Sequence, residues 1–292
     1  MNLIIDASNI IHRSFWMANK RADDETNNGS LHAYIFLRSL KSYCDKFKPT
    51  EVYCVWDKKL EPKVPNFRKV IAAETYKTNR DSEATAKVYN DFDIIEQFVN
   101  ALGCYNVYPF AMEGDDVIAY LTRKVSDSKL IISSDRDLLQ LINASTSYYD
   151  VNKKVVVNPS NFESVYEIPF AEFVQHKCLV GDPADNIARI LTPAKAKKVV
   201  RGELQLTTEQ QEQYELNFKL TDLHNSYDHQ PGELEKMDEQ FKFLSHNGSF
   251  KLFTAMCRQH QMQDILSKEE SWQQTFFGRK SLHNIVNLLK LA

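Results

Sequence analysis

Within Met112–Tyr120 (Met-Glu-Gly-Asp-Asp-Val-Ile-Ala-Tyr) three carboxylates, Glu113, Asp115 and Asp116, fall in four residues before an apolar run at helical spacing. Carboxylates are stabilised in a helix's first turn by the dipole and the orphan N–H groups. Their mutual repulsion still needs relief, through raised pKa values, solvation or a hard divalent cation. A solvated acidic helix start is the plain alternative for one such cluster. The pattern repeats, however. Asp6 ends the apolar run Asn2–Ile5, and Asp57 ends Glu51–Trp56. Lys129–Ser133 runs into Ser134-Asp135-Arg136-Asp137, and Gly181-Asp182-Pro-Ala-Asp185-Asn186 adds two more acids. Asp135 and Asp137, two apart, point the same way from an extended turn. Taken singly, Asp6 reads as a helix N-cap and Asp182/Asp185 as a turn and a cap.

Most of these nine carboxylates (Asp6, Asp57, Glu113, Asp115, Asp116, Asp135, Asp137, Asp182 and Asp185) sit at the C-terminal ends of strands. Open α/β sheets gather ligand sites there. With no His or Cys regularly placed among them, the ligand field is all oxygen and selects Mg²⁺, with Mn²⁺ as a substitute. Nine acids exceed the needs of one ion and imply two, the arrangement that serves in-line displacement at a phosphodiester. No G-x-x-x-x-G-K-[ST] loop points to nucleotide-fuelled chemistry, and no G-x-S-x-G or Cys–His pattern to acyl transfer.

The elements that must position these groups follow from periodicity. Strands are expected at Asn2–Ile5, Glu51–Trp56, Tyr105–Tyr108 and Lys129–Ser133, then a hairpin of Thr146–Tyr149 with Lys154–Val157. Helical patterns lie between them, which predicts an α/β fold: a twisted, mainly parallel sheet with helices on both faces. From Pro159 onward only helical patterns occur, so a core at 1–158 and a helical region at 159–292 are expected. Trp272, Phe276, Phe277 and the Ile285-Leu288-Leu289 stripe are most simply packing, with a partner-docking tail as the alternative.

The 292 residues are 43% hydrophobic and 26% charged, an ordinary globular composition. No run is long enough to span a membrane, and the Met-Asn-Leu-Ile-Ile-Asp start reads as a strand, not a signal peptide. Five cysteines without a C-x-x-C pair suggest reduced thiols and a cytoplasmic setting. The net charge is −3, but setting the nine acids aside leaves a body at +6. A basic body around an acidic pocket suits a polyanionic substrate approaching bound metal.

Within 62–80, Phe67, Arg68, Lys69, Tyr76, Lys77 and Arg80 set cations beside aromatics, as grooves that hold single strands do. A surface whose Phe67 and Tyr76 pack inward is the alternative. Lys195, Lys197 and Lys198 follow a helix start, a combination that favours a phosphate backbone.

As a set, Ile-Ile-Asp6-Ala-Ser-Asn, Val-Trp-Asp57, Tyr76-Lys77-x-Asn79-Arg80, Glu113-Gly-Asp-Asp116, Ser-Asp135-Arg-Asp137 and Gly181-Asp-x-x-Asp185-Asn186 resemble the phage 5′-nuclease family. These are 5′→3′ exonucleases and flap endonucleases with an RNase H-type activity on primers. The resemblance runs from Asn2 to about Arg201. It implies a PIN-like 5′-nuclease core whose metal ligands are the nine acids. It further implies a helical arch around 62–100, its base at Tyr76, Lys77 and Arg80 steering a 5′ single strand onto the scissile phosphate. A DNA-binding helix–turn–helix-like element is implied at 178–201, although Ile187–Lys198 lacks the glycines usual there. The expected activity is Mg²⁺-dependent hydrolysis of DNA and RNA–DNA hybrids at 5′ ends or flaps, with Lys77, Arg80 and Asp135 catalytic. The expected chain is a monomer in a phage-infected bacterial cytoplasm, with replication proteins such as a single-strand-binding protein or clamp as partners. A PIN-type single-strand endoribonuclease and a catalytically silent branched-DNA binder are the competing readings.

Overall fold

The computed structural model describes residues 1–19, 29–72, 76–77 and 92–278. In chain order, β1 (Asn2–Asp6), α1 (Ala7–Asn19), α2 (Gly29–Phe47) and β2 (Val52–Val55) come first, followed by α3 (Phe67–Ile71), α4 (Phe92–Ala101) and β3 (Tyr105–Val107). Next are α5 (Gly114–Lys124), β4 (Lys129–Ser133), a 3-10 turn at Arg136–Leu141, β5 (Thr146–Asp150) and β6 (Val155–Val157). The remaining helices are α6 (Phe162–Tyr166), α7 (Phe173–Val180), α8 (Pro193–Val200), α9 (Thr208–Thr221), α10 (Glu233–Lys242), α11 (Phe250–Gln259), α12 (Gln263–Leu266) and α13 (Glu269–Phe276).

The expected α/β class is what forms. β1 pairs in parallel with β2, β2 with β3, and β4 with β5, while β5 and β6 make the antiparallel hairpin. β1 and β4 are buried along their whole length, which is why their sequences read as continuous apolar runs without alternation.

The chain divides into two compact units, and they do not follow a single cut at 158. The first comprises 1–55, 83–107 and 243–292. In it, the late helices cover α2 and α4. Trp272 stacks on Phe253 at 5.3 Å, Phe253 meets Phe98 edge-on at 5.9 Å, and Thr275 donates to Asp45 at 2.7 Å. Trp272 and Phe276 are therefore packing residues here. The Ile285-Leu288-Leu289 stripe lies outside the described residues. Amphipathic periodicity reveals that a helix has a buried face, not which part of the chain covers it, so this return was hidden from the sequence.

The second unit comprises 56–82 and 108–242. Here α7 and α8 are joined by residues 181–192 and packed around buried Leu179, Leu191 and Ala196. Asp182 and Ile187 exchange backbone hydrogen bonds across the connection. Buried Asn217 of α9 donates through Nδ2 to the carbonyls of Cys178 and Ala188, each at 2.8 Å. An amide side chain thus ties the two sides of a loop that lacks glycine after position 181.

Gly181 itself has φ +73° and ψ 180°, a conformation kept almost to glycine. A Cβ there would meet the Ile187 carbonyl oxygen at 2.6 Å. Gly181→Ala is expected to lose about 1–3 kcal/mol from the backbone conformation alone, with the clash adding to it. A urea unfolding midpoint equal to that of the parent would refute this.

Candidate active site

All but one of the predicted acids belong to the second unit. The exception is Asp6, at the end of β1 in the first unit, where its Oδ1 accepts from the Asn9 N–H at 3.1 Å as a cap for α1.

In the second unit the acids divide by what neutralises them. Asp116 is fully buried and forms a fork-to-fork pair with Arg68, Nη1 and Nη2 each at 2.8 Å. Its Oδ2 also accepts the Glu113 N–H at 3.0 Å, closing the start of α5, and Arg68 Nε donates to the Leu220 carbonyl at 2.9 Å. Every strong partner of Asp116 is thus internal, and it stands as the anchor of the acidic turn. This corrects two expectations. Arg68 is 1% exposed and has no path to a nucleic-acid phosphate, because a buried guanidinium answers a buried carboxylate. Phe67 and Tyr76 likewise pack inward, Tyr76 against Ile187 and Leu220.

Glu113 faces a second cation. Lys77 Nζ donates to Glu113 Oε2 at 2.7 Å and lies 3.8 Å from Asp185 Oδ2, and the Tyr76 hydroxyl donates to the same Oε2 at 3.2 Å. Burial alone would raise the Glu113 pKa, but Lys77 and Arg68 outweigh it and hold it at about 2. Asp57 accepts the Gly114 N–H at 3.1 Å, and burial together with the Glu113 charge pushes its pKa up.

The third group follows β4. Asp135 caps the 3-10 turn, its Oδ1 accepting the Asp137 N–H at 2.9 Å. The Tyr148 hydroxyl pins the bend by donating to the Ser133 and Asp135 carbonyls. Asp137 pairs with Lys177 of α7, whose Nζ also reaches Asp182 Oδ2 at 3.0 Å. Burial, and then the charges of Asp135 and Asp185, push Asp137 up to about 6 despite that lysine. Asp150, also at a strand end, shows that position alone is not enough. It is buried, and its Oδ1 caps the N–H groups of Asn152 and Lys153 in the hairpin turn.

Asp57, Glu113, Asp115, Asp135, Asp137, Asp182 and Asp185 therefore remain as candidate metal ligands in this unit. Among the described residues, no three such groups converge closely enough to hold an ion as they stand. The acids are instead bridged by ammonium groups, Lys77 across Glu113 and Asp185 and Lys177 across Asp137 and Asp182. A carboxylate-only donor set with cations already drawn between its members fits a hard divalent cation.

Of the predicted nucleic-acid contacts, Lys69 is exposed on α3, and Lys195 and Lys198 are exposed on α8, with Lys197 half-buried. Arg80, with residues 73–75 and 78–91 of the expected arch, lies outside the described residues. Sequence reasoning missed Lys177 and also Lys59, whose Nζ donates to the Ala111 carbonyl at 2.9 Å and whose pKa is lowered by burial. Their only sequence signals are proximity to Asp182 and Asp57.

Comparison with known proteins is consistent with this frame. A 5′-3′ exonuclease of Buchnera aphidicola is 27% identical over 190 residues, covering 63% of each chain. One of Mycoplasma genitalium is 27% identical over 258 residues, covering 85% of this chain and 83% of its own. The chain thus spans under two thirds of the Buchnera relative. A bacteriophage T5 protein co-crystallised with metal ions matches with a TM-score of 0.66 at 17% identity, over 83% of this chain and 98% of that one. The T5 flap endonuclease, in a product complex with DNA and metal ions, matches at 0.63 and 16%, over the same shares. At those identities the likeness is one of fold. The family model described as 5′-3′ exonuclease, N-terminal resolvase-like domain matches residues 1–167, and the chain belongs to that family.

Proposed function

We propose that this chain is a structure-specific 5′ nuclease, acting as a 5′→3′ exonuclease or flap endonuclease on DNA and on the RNA of RNA–DNA hybrids. The observation that carries the reading is the pairing of Glu113 and Asp185 through Lys77, and of Asp137 and Asp182 through Lys177. Asp57 is near enough to Glu113, and Asp135 and Asp185 near enough to Asp137, to act on their charge. Family membership and the metal- and DNA-bound T5 relatives support it.

Asp57, Glu113, Asp115, Asp135, Asp137, Asp182 and Asp185 would hold two divalent ions, Mg²⁺ or Mn²⁺. When bound, such ions supply a nucleophile from water at neutral pH and stabilise charge on the leaving oxygen. The protein's part is positioning. Arg68 fixes Asp116 and so the turn bearing Glu113. The Asp135 cap fixes the turn bearing Asp137. Lys77, with Arg80, would face the scissile phosphate and stabilise the charge that develops there. Lys69, Lys195, Lys197 and Lys198 would contact backbone phosphates of the substrate. Among the described residues no helix is long and apolar enough to cross a membrane. Replication proteins are the proposed partners of a monomeric enzyme in a phage-infected cell.

Lys77→Ala tests the assignment. Lys77 is partly solvent-accessible and has φ +57°. Its loss is expected to slow single-turnover cleavage of a 5′-flap DNA by about 10²–10³-fold, the range for removing one transition-state donor. The melting temperature should fall as well, because buried Glu113 loses the nearest cation that offsets its burial. A variant that fails to fold while its folded fraction cleaves at the parental rate would make Lys77 structural.

A further inference from the structure

The proposed chemistry leaves Lys177 without a role, yet it is among the best-placed cations of the site. It stands in the last turn of α7, with a side chain 15% exposed. Its Nζ donates both to Asp137 Oδ1, from the turn after β4, and to Asp182 Oδ2, from the α7–α8 connection. These two carboxylates lie 45 positions apart in the chain and are joined through this ammonium.

Arg68 and Lys177 differ as counter-ions. Arg68 is sealed, with a planar fork matched to both Asp116 oxygens and its remaining Nε spent on a carbonyl. Such a pair is a fixed part of the fold. Lys177 carries a compact charge on a flexible four-carbon stem, and its side chain retains solvent access. One positive charge meets two carboxylates there, with Asp135 and Asp185 close enough to Asp137 to act on its charge. The group therefore stays net negative around an ammonium that can leave. A divalent ion brings twice the charge to the same oxygens. At contact distances it would repel the ammonium, so the two do not share the position.

We propose that Lys177 is the resident counter-ion of the Asp137/Asp182 pair, standing in for a divalent cation, and that metal loading displaces its ammonium toward solvent or an incoming phosphate. Metal uptake then also releases a cation at the edge of the site. The inference rests on the metal-dependent reading above.

The test uses the full chain without substrate. Mn²⁺ binding is measured by calorimetry, and melting is followed in EDTA and in Mn²⁺, for the parent, Lys177→Met and Lys177→Arg. Lys177→Met keeps the length and removes the charge. It is expected to melt below the parent in EDTA. It should also bind Mn²⁺ about tenfold or more tightly, since couplings between close, desolvated charges exceed that factor. Lys177→Arg should recover the melting temperature in EDTA and bind Mn²⁺ more weakly than Lys177→Met. A second readout is amine-reactive labelling with mass spectrometry. Labelling of Lys177 in the parent should rise on adding Mn²⁺, while exposed Lys195 stays constant. Parental Mn²⁺ affinity in Lys177→Met, with Lys177 labelling indifferent to metal, would overturn the displacement and leave the nuclease reading intact. Absence of Mn²⁺ binding in all three proteins would instead overturn the metal reading itself, and this inference with it.

Discussion

Asp135→Asn is expected to lower Mg²⁺-dependent cleavage by more than about 10²-fold, beyond the roughly 10–10²-fold that follows removal of a supporting contact in a metal site. The fold should be untouched. Asp135 caps the 3-10 turn through Oδ1, which accepts the Asp137 N–H. Asparagine presents the same oxygen and ranks with aspartate as a cap. Removing the charge also relieves repulsion on Asp137, whose pKa of about 6 reflects burial and its acidic neighbours. Stability should hold or rise slightly while activity collapses, and flap binding should stay the same or tighten as a negative charge is lost. Single-turnover rates, melting curves and binding measured on one preparation decide the matter. Parental cleavage would remove Asp135 from the site.

Arg68→Ala is expected to destabilise the protein by about 3–5 kcal/mol, the usual consequence of stripping one partner from a buried ion pair. The variant leaves Asp116, fully buried, without its counter-charge and frees the Leu220 carbonyl. It also unties the turn that presents Glu113, because Asp116 holds the Glu113 N–H. Replacing both partners, as in Arg68→Met with Asp116→Leu, should be less damaging than Arg68→Ala alone, since no buried charge is then orphaned. Urea midpoints for the single and double variants provide the comparison. An Arg68→Ala protein of parental stability but weaker DNA binding would return Arg68 to the nucleic-acid surface.

Arg68 also shows where sequence reading loses its grip. Phe67-Arg68-Lys69 has the texture of a strand-binding groove, and the same residues serve equally as a core anchor. The difference is made by Asp116, 48 positions away, which no local spacing reveals. The strands, by contrast, were legible because β1 and β4 are buried along their whole length and so carry unbroken apolar runs. The acids were legible because most fall where such runs end, and eight of the nine belong to one unit. Asp116 and the hairpin-capping Asp150 mark the limit of that rule. Lys177 carries no signal of its own, because a single lysine in a helix is commonplace. Its meaning comes from Asp137 and Asp182, which meet only once the chain is folded. The return of α11–α13 to the first unit was hidden for the same reason.

The most direct measurement is cleavage of a 5′-flap DNA and a 5′-RNA/DNA hybrid, each labelled at both ends, in Mg²⁺ and in EDTA. Short 5′ products released near the junction in Mg²⁺, and none in EDTA, are the expected result. Cleavage scattered through single-stranded RNA without regard to the 5′ end, or tight salt-sensitive binding with no cleavage, would contradict a 5′ nuclease.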